Sequence, residues 1–245
     1  TTMHTASCRA THVLGEQSAE LLDLRTECLD RRLSEVRYLT DLLLDADAAM
    51  AGRAVASVRA LAPVEDCANP TALRDPVPPR DPARSRELRD RFSRVRALFH
   101  VGKYDEMIRE ARAIAEAAEG AGDVWLQANA SYMLARAAHR LGRTVSAEEQ
   151  LYRAIEIAET ARASVVVVDA WMTLAWIVGE NFGRHADALR LAGVARGVLA
   201  RIGGGPRLEA ALEDHVGVMH LGRGELALAQ RHLERGLALR ERIYG

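Results

Sequence analysis

Lysine is nearly missing from this sequence: Lys103 is the only one, and every other Lys/Arg position is arginine. The bias reads mainly as the mark of a GC-rich coding sequence and only weakly as arginine-based recognition. Aromatic residues make up 4% of the chain against 49% hydrophobic, so alanine and leucine carry the apolar content. Strands draw on β-branched and aromatic side chains, and their scarcity favours close-packed helices. Cysteine is sparse as well. Cys8, Cys28 and Cys67 all fall in the first third, their spacing fits no zinc pattern, and neither CxxC nor HExxH occurs. No apolar run approaches the roughly 20 residues of a membrane-spanning helix, and no secretory signal opens the chain. An excess of one charge is lacking too: the net charge is −1 and the pI about 6.7. No overall basic field for nucleic acid or an anionic membrane is therefore present. The opening TTMHTASC and the ending ERIYG, where another repeat would follow, read as those of a piece of a longer protein.

The 245 residues suffice for one elongated domain or two short ones. Residues 1–14 have helical composition, and GEQS at Gly15–Ser18 is a turn with Ser18 placed as a cap. From Ala19 the spacing predicts a long helix whose apolar stripe carries Leu21, Leu24, Cys28, Leu33, Val36, Leu39 and Leu42. A third helix is expected over Ala48–Leu61, stopped by Pro63. Residues 1–62 thus form an N-terminal helical bundle. Residues 63–82 hold six of the seven prolines and make an irregular connection, either an ordered packed loop or a flexible linker, with one helical turn at Thr71–Leu73. Two readings of the cysteines stay open. They are buried thiols on helix faces, or Cys28 and Cys67 form a disulfide. The second follows if the chain reverses near Asp45–Asp47 and brings both positions to one height of an antiparallel pair.

Residues 83–245 read as a repeat array. Gly102, Gly142, Gly183 and Gly224 recur at separations of 40, 41 and 41 residues, each expected in the turn of a helix pair. The pairs are expected at about 88–122, 128–162, 168–203 and 210–243. Behind the glycines, Tyr104, Met107, Ala111 and Ile114, then Ala147, Leu151 and Ala154, then Ala188, Ala192 and Ala195 hold the packing positions. In the last unit Gly217, Ala229 and Gly236 are small enough for two helices to cross closely. WIVGENFG carries one extra residue before its turn, which predicts a bulge or longer loop. Such a unit cannot bury its apolar face alone and must stack on copies of itself.

This pattern resembles the tetratricopeptide repeat (TPR), and the resemblance covers about two-thirds of the chain. It implies an all-α fold, an N-terminal helical bundle followed by a right-handed α-solenoid of about four helix-turn-helix repeats. A narrower resemblance rests on CRATHVLGEQSAELLDLRTECLDRRLSEVRYLTDLLLDAD and DCANPTALRDPVPP. These are similar to the region C-terminal to the kinase domain of myxobacterial-type bacterial serine/threonine protein kinases. That resemblance implies a kinase parent with a membrane-spanning segment before the TPR part, and leaves the side of the membrane open. The kinase phosphate loop, HRD loop and DFG metal ligand are absent from this stretch.

No residue set points to catalysis, a metal or a cofactor. His215 and His220 are five apart, which turns them away from each other on a helix, and His232 lies on the next helix. Gly203–Gly205 before Pro206 lacks the GK[ST] of a phosphate loop and reads as a helix stop and turn. The register of the glycines turns Arg89, Phe92, Arg96, Asn129, Tyr132, Arg136, Met172, Trp176 and Asp214 into the concave groove. Aromatic and arginine side chains there suit a protein or peptide partner, since they bury large area and form forked hydrogen bonds. The expected function is a non-catalytic interaction or regulatory module without nucleic-acid binding or membrane insertion. The alternatives are a small-ligand sensor and a scaffold that pairs two copies through the C-terminal repeat.

Overall fold

A computed structural model describes residues 2–244, the side chain of Tyr244 excepted. Thr1 and Gly245, the outer limits of the two expected regions, lie outside the described residues. Among the described residues there are thirteen α-helices and no strand, and no helix is long and apolar enough to cross a membrane.

The N-terminal part consists of α1 (Thr2–His12), α2 (Ala19–Leu44), α3 (Ala48–Ala51), α4 (Ala54–Arg59), a 3₁₀ turn (Val64–Ala68) and α5 (Pro70–Arg74). Ser18 caps α2, its hydroxyl accepting from the Leu21 amide at 3.2 Å. The buried line of α2 is Leu21, Cys28, Glu35 and Leu39, whereas Leu33 is 68% and Val36 46% exposed. The predicted stripe was too broad because α2 packs on its neighbours along one side only. The expected third helix is also interrupted: it breaks at Gly52–Arg53, where glycine weakens the helix. Beyond the break, the Arg53 guanidinium reaches the Val101 carbonyl at 3.5 Å, and the Ser57 hydroxyl donates to the His100 carbonyl at 3.0 Å. These two carbonyls end the helix Pro82–Val101 and have no partner within it, so Arg53 and α4 serve as its C-terminal cap.

Four helix pairs follow: α6 (Pro82–Val101) with α7 (Tyr104–Ala121), α8 (Val124–Arg140) with α9 (Thr144–Thr160), α10 (Ser164–Trp176) with α11 (His185–Arg201), and α12 (Pro206–Gly222) with α13 (Leu226–Tyr244). The first helix of each pair starts a turn or more earlier than its apolar periodicity suggested: Asp81 and Asp123 cap α6 and α8, the Asp75 carboxylate accepts from the first amide of α10, and Pro206 opens α12. Gly102, Gly142, Gly183 and Gly224 end those first helices with φ between 66° and 84°, a left-handed turn that a Cβ would disfavour. The extra residue of WIVGENFG is absorbed as a π-helical turn at Ile177–Asn181. One hydrophobic core runs through the first three pairs and into α12. The nine expected packing positions from Met107 to Ala195 are each at most 1% exposed. In the last pair, a Cβ on Gly217 would stand 2.7 Å from the Leu233 side chain and one on Gly236 3.3 Å from the Ala210 carbonyl, which is the close crossing the sequence implied.

Cys28 on α2 and Cys67 in the 3₁₀ turn stand in disulfide geometry, Cα atoms 5.7 Å apart and 39 residues apart in sequence. Cys8 is unpaired. We propose that this bond forms in the native protein and ties the proline-rich segment to α2. Closing a loop of that length restricts the unfolded chain by about 4 kcal/mol. The unreduced protein should be two hydrogens lighter than the reduced one, and Cys28→Ser/Cys67→Ser should lose roughly 2–4 kcal/mol of stability. Three alkylatable thiols without reductant would contradict the pairing.

Candidate functional site

The first helices of the four pairs form one wall of a cavity of about 980 Å³, and α2 with the proline-rich segment forms its roof. The segment runs along the turns between successive repeats. Asp81 donates its amide to the Ala121 carbonyl at 3.0 Å, and Val77 to Ala161 at 2.9 Å. Asp75 accepts from the Ser164 amide at 3.0 Å, and the Asn69 side-chain amide donates to Ile202 and Gly204 at 3.0 and 3.1 Å. Each inter-repeat turn thus receives a strap residue, and the second receives two, Val77 and Asp75. Pro76, Pro78 and Pro79 suit this course: they hold the chain extended and bring no amide that would need a partner. The connection left open by the sequence is therefore an ordered, packed strap. The glycines at 203–205 form the turn that receives Asn69.

Charges inside this cleft are mostly paired. Asp123, fully buried, caps α8 by accepting from the Leu126 amide at 2.9 Å; it also takes the Arg89 fork at 2.8 and 3.2 Å and the Ser85 hydroxyl. Glu35, 3% exposed, joins Arg32 on its own helix at 3.2 Å to Arg96 of α6 at 3.1 Å. Burial pushes the Glu35 carboxyl up, but Arg96, Arg32 and His100 together outweigh it and leave it below the usual range. Arg207 of α12 joins Asp66 of the strap at 3.2 Å to Asp169 of α10 at 3.5 Å. Burial opposes its charge, and the two aspartates raise its pKa regardless. Arg31 and Arg89 lie over the Trp125 ring, 5.2 and 4.6 Å from its centre, and Arg136 lies 4.1 Å over Phe99. Burial, with Arg96 and Arg136 adding to it, pushes His100 down to about 4, so it is neutral near pH 7.

Of the nine expected groove residues, Arg89, Phe92, Arg96, Asn129, Tyr132 and Arg136 line this cavity. Three are elsewhere. Met172 is only 4% exposed within the core, Trp176 packs against His215 with ring centres 5.1 Å apart, and Asp214 pairs with Arg240 of α13. The register failed in these repeats because α10 is apolar nearly all round, and because Gly236 leaves room for the Asp214 carboxylate at the helix crossing. Arg31, Arg32, His100, Trp125, Asp169 and Arg207 were missed. Two of them come from α2, whose docking no local pattern signals. His215 and His220 do point apart. His220 instead stacks on His232 at 5.3 Å, and their Nδ1 atoms meet Glu225 at 2.5 Å and Glu213 at 2.7 Å, so carboxylates do reach these rings. No group of three metal-binding side chains occurs among the described residues.

Glu35 gives the site a pH dependence of known sign. A lowered carboxyl pKa contributes stability above the ordinary carboxylate range, lost as pH falls through the folded value. His100 adds a loss that begins below its unfolded value of about 6.5 and is complete near 4. Glu35→Gln should cost about 3 kcal/mol near pH 7, as expected for breaking a buried pair, and flatten the acid limb of the stability profile. Urea unfolding of both proteins across the acid range tests this; equal stability near neutrality would contradict it.

No family model matches the chain, and no curated protein does. Among solved structures it is similar to the nearly identical TPR-like repeats of a candidate kinesin light chain from Podosopora anserina. One of these crystal structures, a point variant, aligns with TM-score 0.50 and 17% identity over 92% of this chain and 98% of that one. Another gives TM-score 0.49 and 15% identity over 90% and 98%. At such identity the likeness speaks for the fold alone. The chain is an all-α solenoid of TPR-like repeats.

Proposed function

We propose that this chain is a non-catalytic binding module that holds a segment of a protein partner in the roofed cavity. The observation that carries the reading is the lining itself: Phe92, Tyr132 and Trp125 beside arginine forks, in a cavity large enough for several side chains. Aromatic and arginine groups at a partly desolvated surface are the usual anchors of a partner. Most carboxylates in and around the cavity are engaged: Glu35, Asp66, Asp123 and Asp169 by arginines, Glu27 by Arg89 at 3.7 Å, and Glu209 by the Gly205 amide. The similarity of the first third to the segment after a bacterial kinase domain supports a further step, that the module localises or regulates a serine/threonine kinase on the same chain.

The roof favours one second reading. A cavity closed by the chain's own strap also suits a small ligand whose binding shifts the array, which would make the module a sensor. Thermal melting separates the two, since a ligand bound only by the folded state raises the melting temperature.

Val165 lines the cavity and is partly exposed to it. Affinity capture from a lysate of the source cells should retain a partner on the wild type. Val165→Trp, which puts an indole into the cavity, should lose it while melting at the same temperature. Retention unchanged by Val165→Trp would place the interaction elsewhere.

A further inference from the structure

Seven arginines line the cavity wall and roof; Arg86 is exposed to solvent, and the structure neutralises four of the other six. Arg32 and Arg96 share Glu35, Arg89 holds Asp123, and Arg207 holds Asp66 and Asp169. Arg31 and Arg136 differ. Among the described residues no carboxylate lies within ion-pair distance of either. Arg31 has the face of Trp125 at 5.2 Å; Arg136 has Phe99 at 4.1 Å, Tyr132 at 5.5 Å and the Met133 sulfur at 3.7 Å. Both residues are half-buried, and Glu27, one turn before Arg31 on α2, is held by Arg89 at 3.7 Å. A guanidinium over a ring is covered on one face and keeps its in-plane N–H edge free, the edge that takes a carboxylate two bonds at a time. A charge removed from water without a counter-charge is costly, so the two positions favour incoming anions.

Arg31 stands over Trp125 of α8, and Arg136 lies between Tyr132, seven residues further along α8, and the nearer Phe99 of α6. The two ring positions on α8 are about 10 Å apart at 1.5 Å per residue. A polyproline II peptide repeats its face every three residues over roughly 9 Å. It therefore matches the spacing when acidic side chains stand at positions i and i+3. The strap shows that this concave side already accepts an extended proline-rich chain.

We propose that the cavity binds an extended peptide carrying two acidic side chains three positions apart, one on Arg31 of the roof and one on Arg136 of the wall. This rests on the binding-module reading and names the chemistry of its partner. Binding joins roof to wall, since the two arginines belong to α2 and α8.

Titration calorimetry of the full chain tests the proposal with four probes: the peptide Ac-Ala-Glu-Pro-Pro-Glu-Ala-NH2, its Gln-Pro-Pro-Gln analogue, a peptide with the two glutamates adjacent, and inorganic phosphate. The first should bind one to one, and the other three at least tenfold more weakly. Arg31→Gln and Arg136→Gln should each weaken the first peptide roughly ten- to hundredfold, the worth of a charge-assisted pair. Arg112→Gln, on the exposed side of α7, should not. If a glutamine variant fails to fold, Arg136→Lys keeps the charge but loses the fork, and should still bind more weakly than wild type. Equal binding of the Gln analogue, or indifference to both arginines, overturns the proposal. Phosphate as tight as the peptide would also overturn it, in favour of a small dianion. A partner captured in a Val165→Trp-sensitive way while every peptide fails would leave the binding module standing and this inference lost.

Discussion

A helix pair in a solenoid buries one side of each helix against its neighbours and leaves the first helices facing the concave side. Here that side carries Phe92, Tyr132, Met133 and Trp125, more apolar surface than water tolerates cheaply. The chain covers it with its own N-terminal segment. The coverage depends on polar contacts at both edges. On one, Glu35 binds Arg96 and so holds α2 to α6; on the other, strap residues bond to the three turns between repeats. Apolar burial drives the closure, and these directional bonds fix its register.

Closure creates an electrostatic problem, since α2 brings Arg31 against Arg89 and Arg32 against Arg96 and Arg207. Burial, with Arg89 and Arg32 adding to it, pulls the Arg31 pKa down to about 10, and His100 stays neutral for the same reason. Aromatic faces moderate the positive charge without cancelling it, as cation–π contacts do. The cavity therefore has a charge preference that the net charge of the chain conceals.

Much of the fold was legible because local rules determine it. A glycine every 40 or 41 residues sits where only a left-handed turn ends the helix, and an extra residue before Gly183 had to emerge as a distortion, the π turn. Small residues at Gly217 and Gly236 reported a backbone crossing. The cavity was half legible. Register on α6 and α8 was readable because polar and apolar faces alternate there; on α10, SVVVVDAWMTLAW gives no contrast, and Met172 and Trp176 were misassigned. The contribution of α2 was out of reach for a different reason. Its arginines look like a solvated face until a partner surface 50 or more residues away is known, as the Ser34–Asp90 and Arg96–Glu35 contacts show.

The central claim is that residues 63–82 lie closed on the concave side as part of the folded unit. Hydrogen exchange at single-residue resolution tests it most directly at the Val77 and Asp81 amides, which donate to the Ala161 and Ala121 carbonyls. The account predicts protection at both, lost when the strap is freed. Exchange at the rate of an unstructured peptide, with α6 and α8 still protected, would mean an open groove and contradict it.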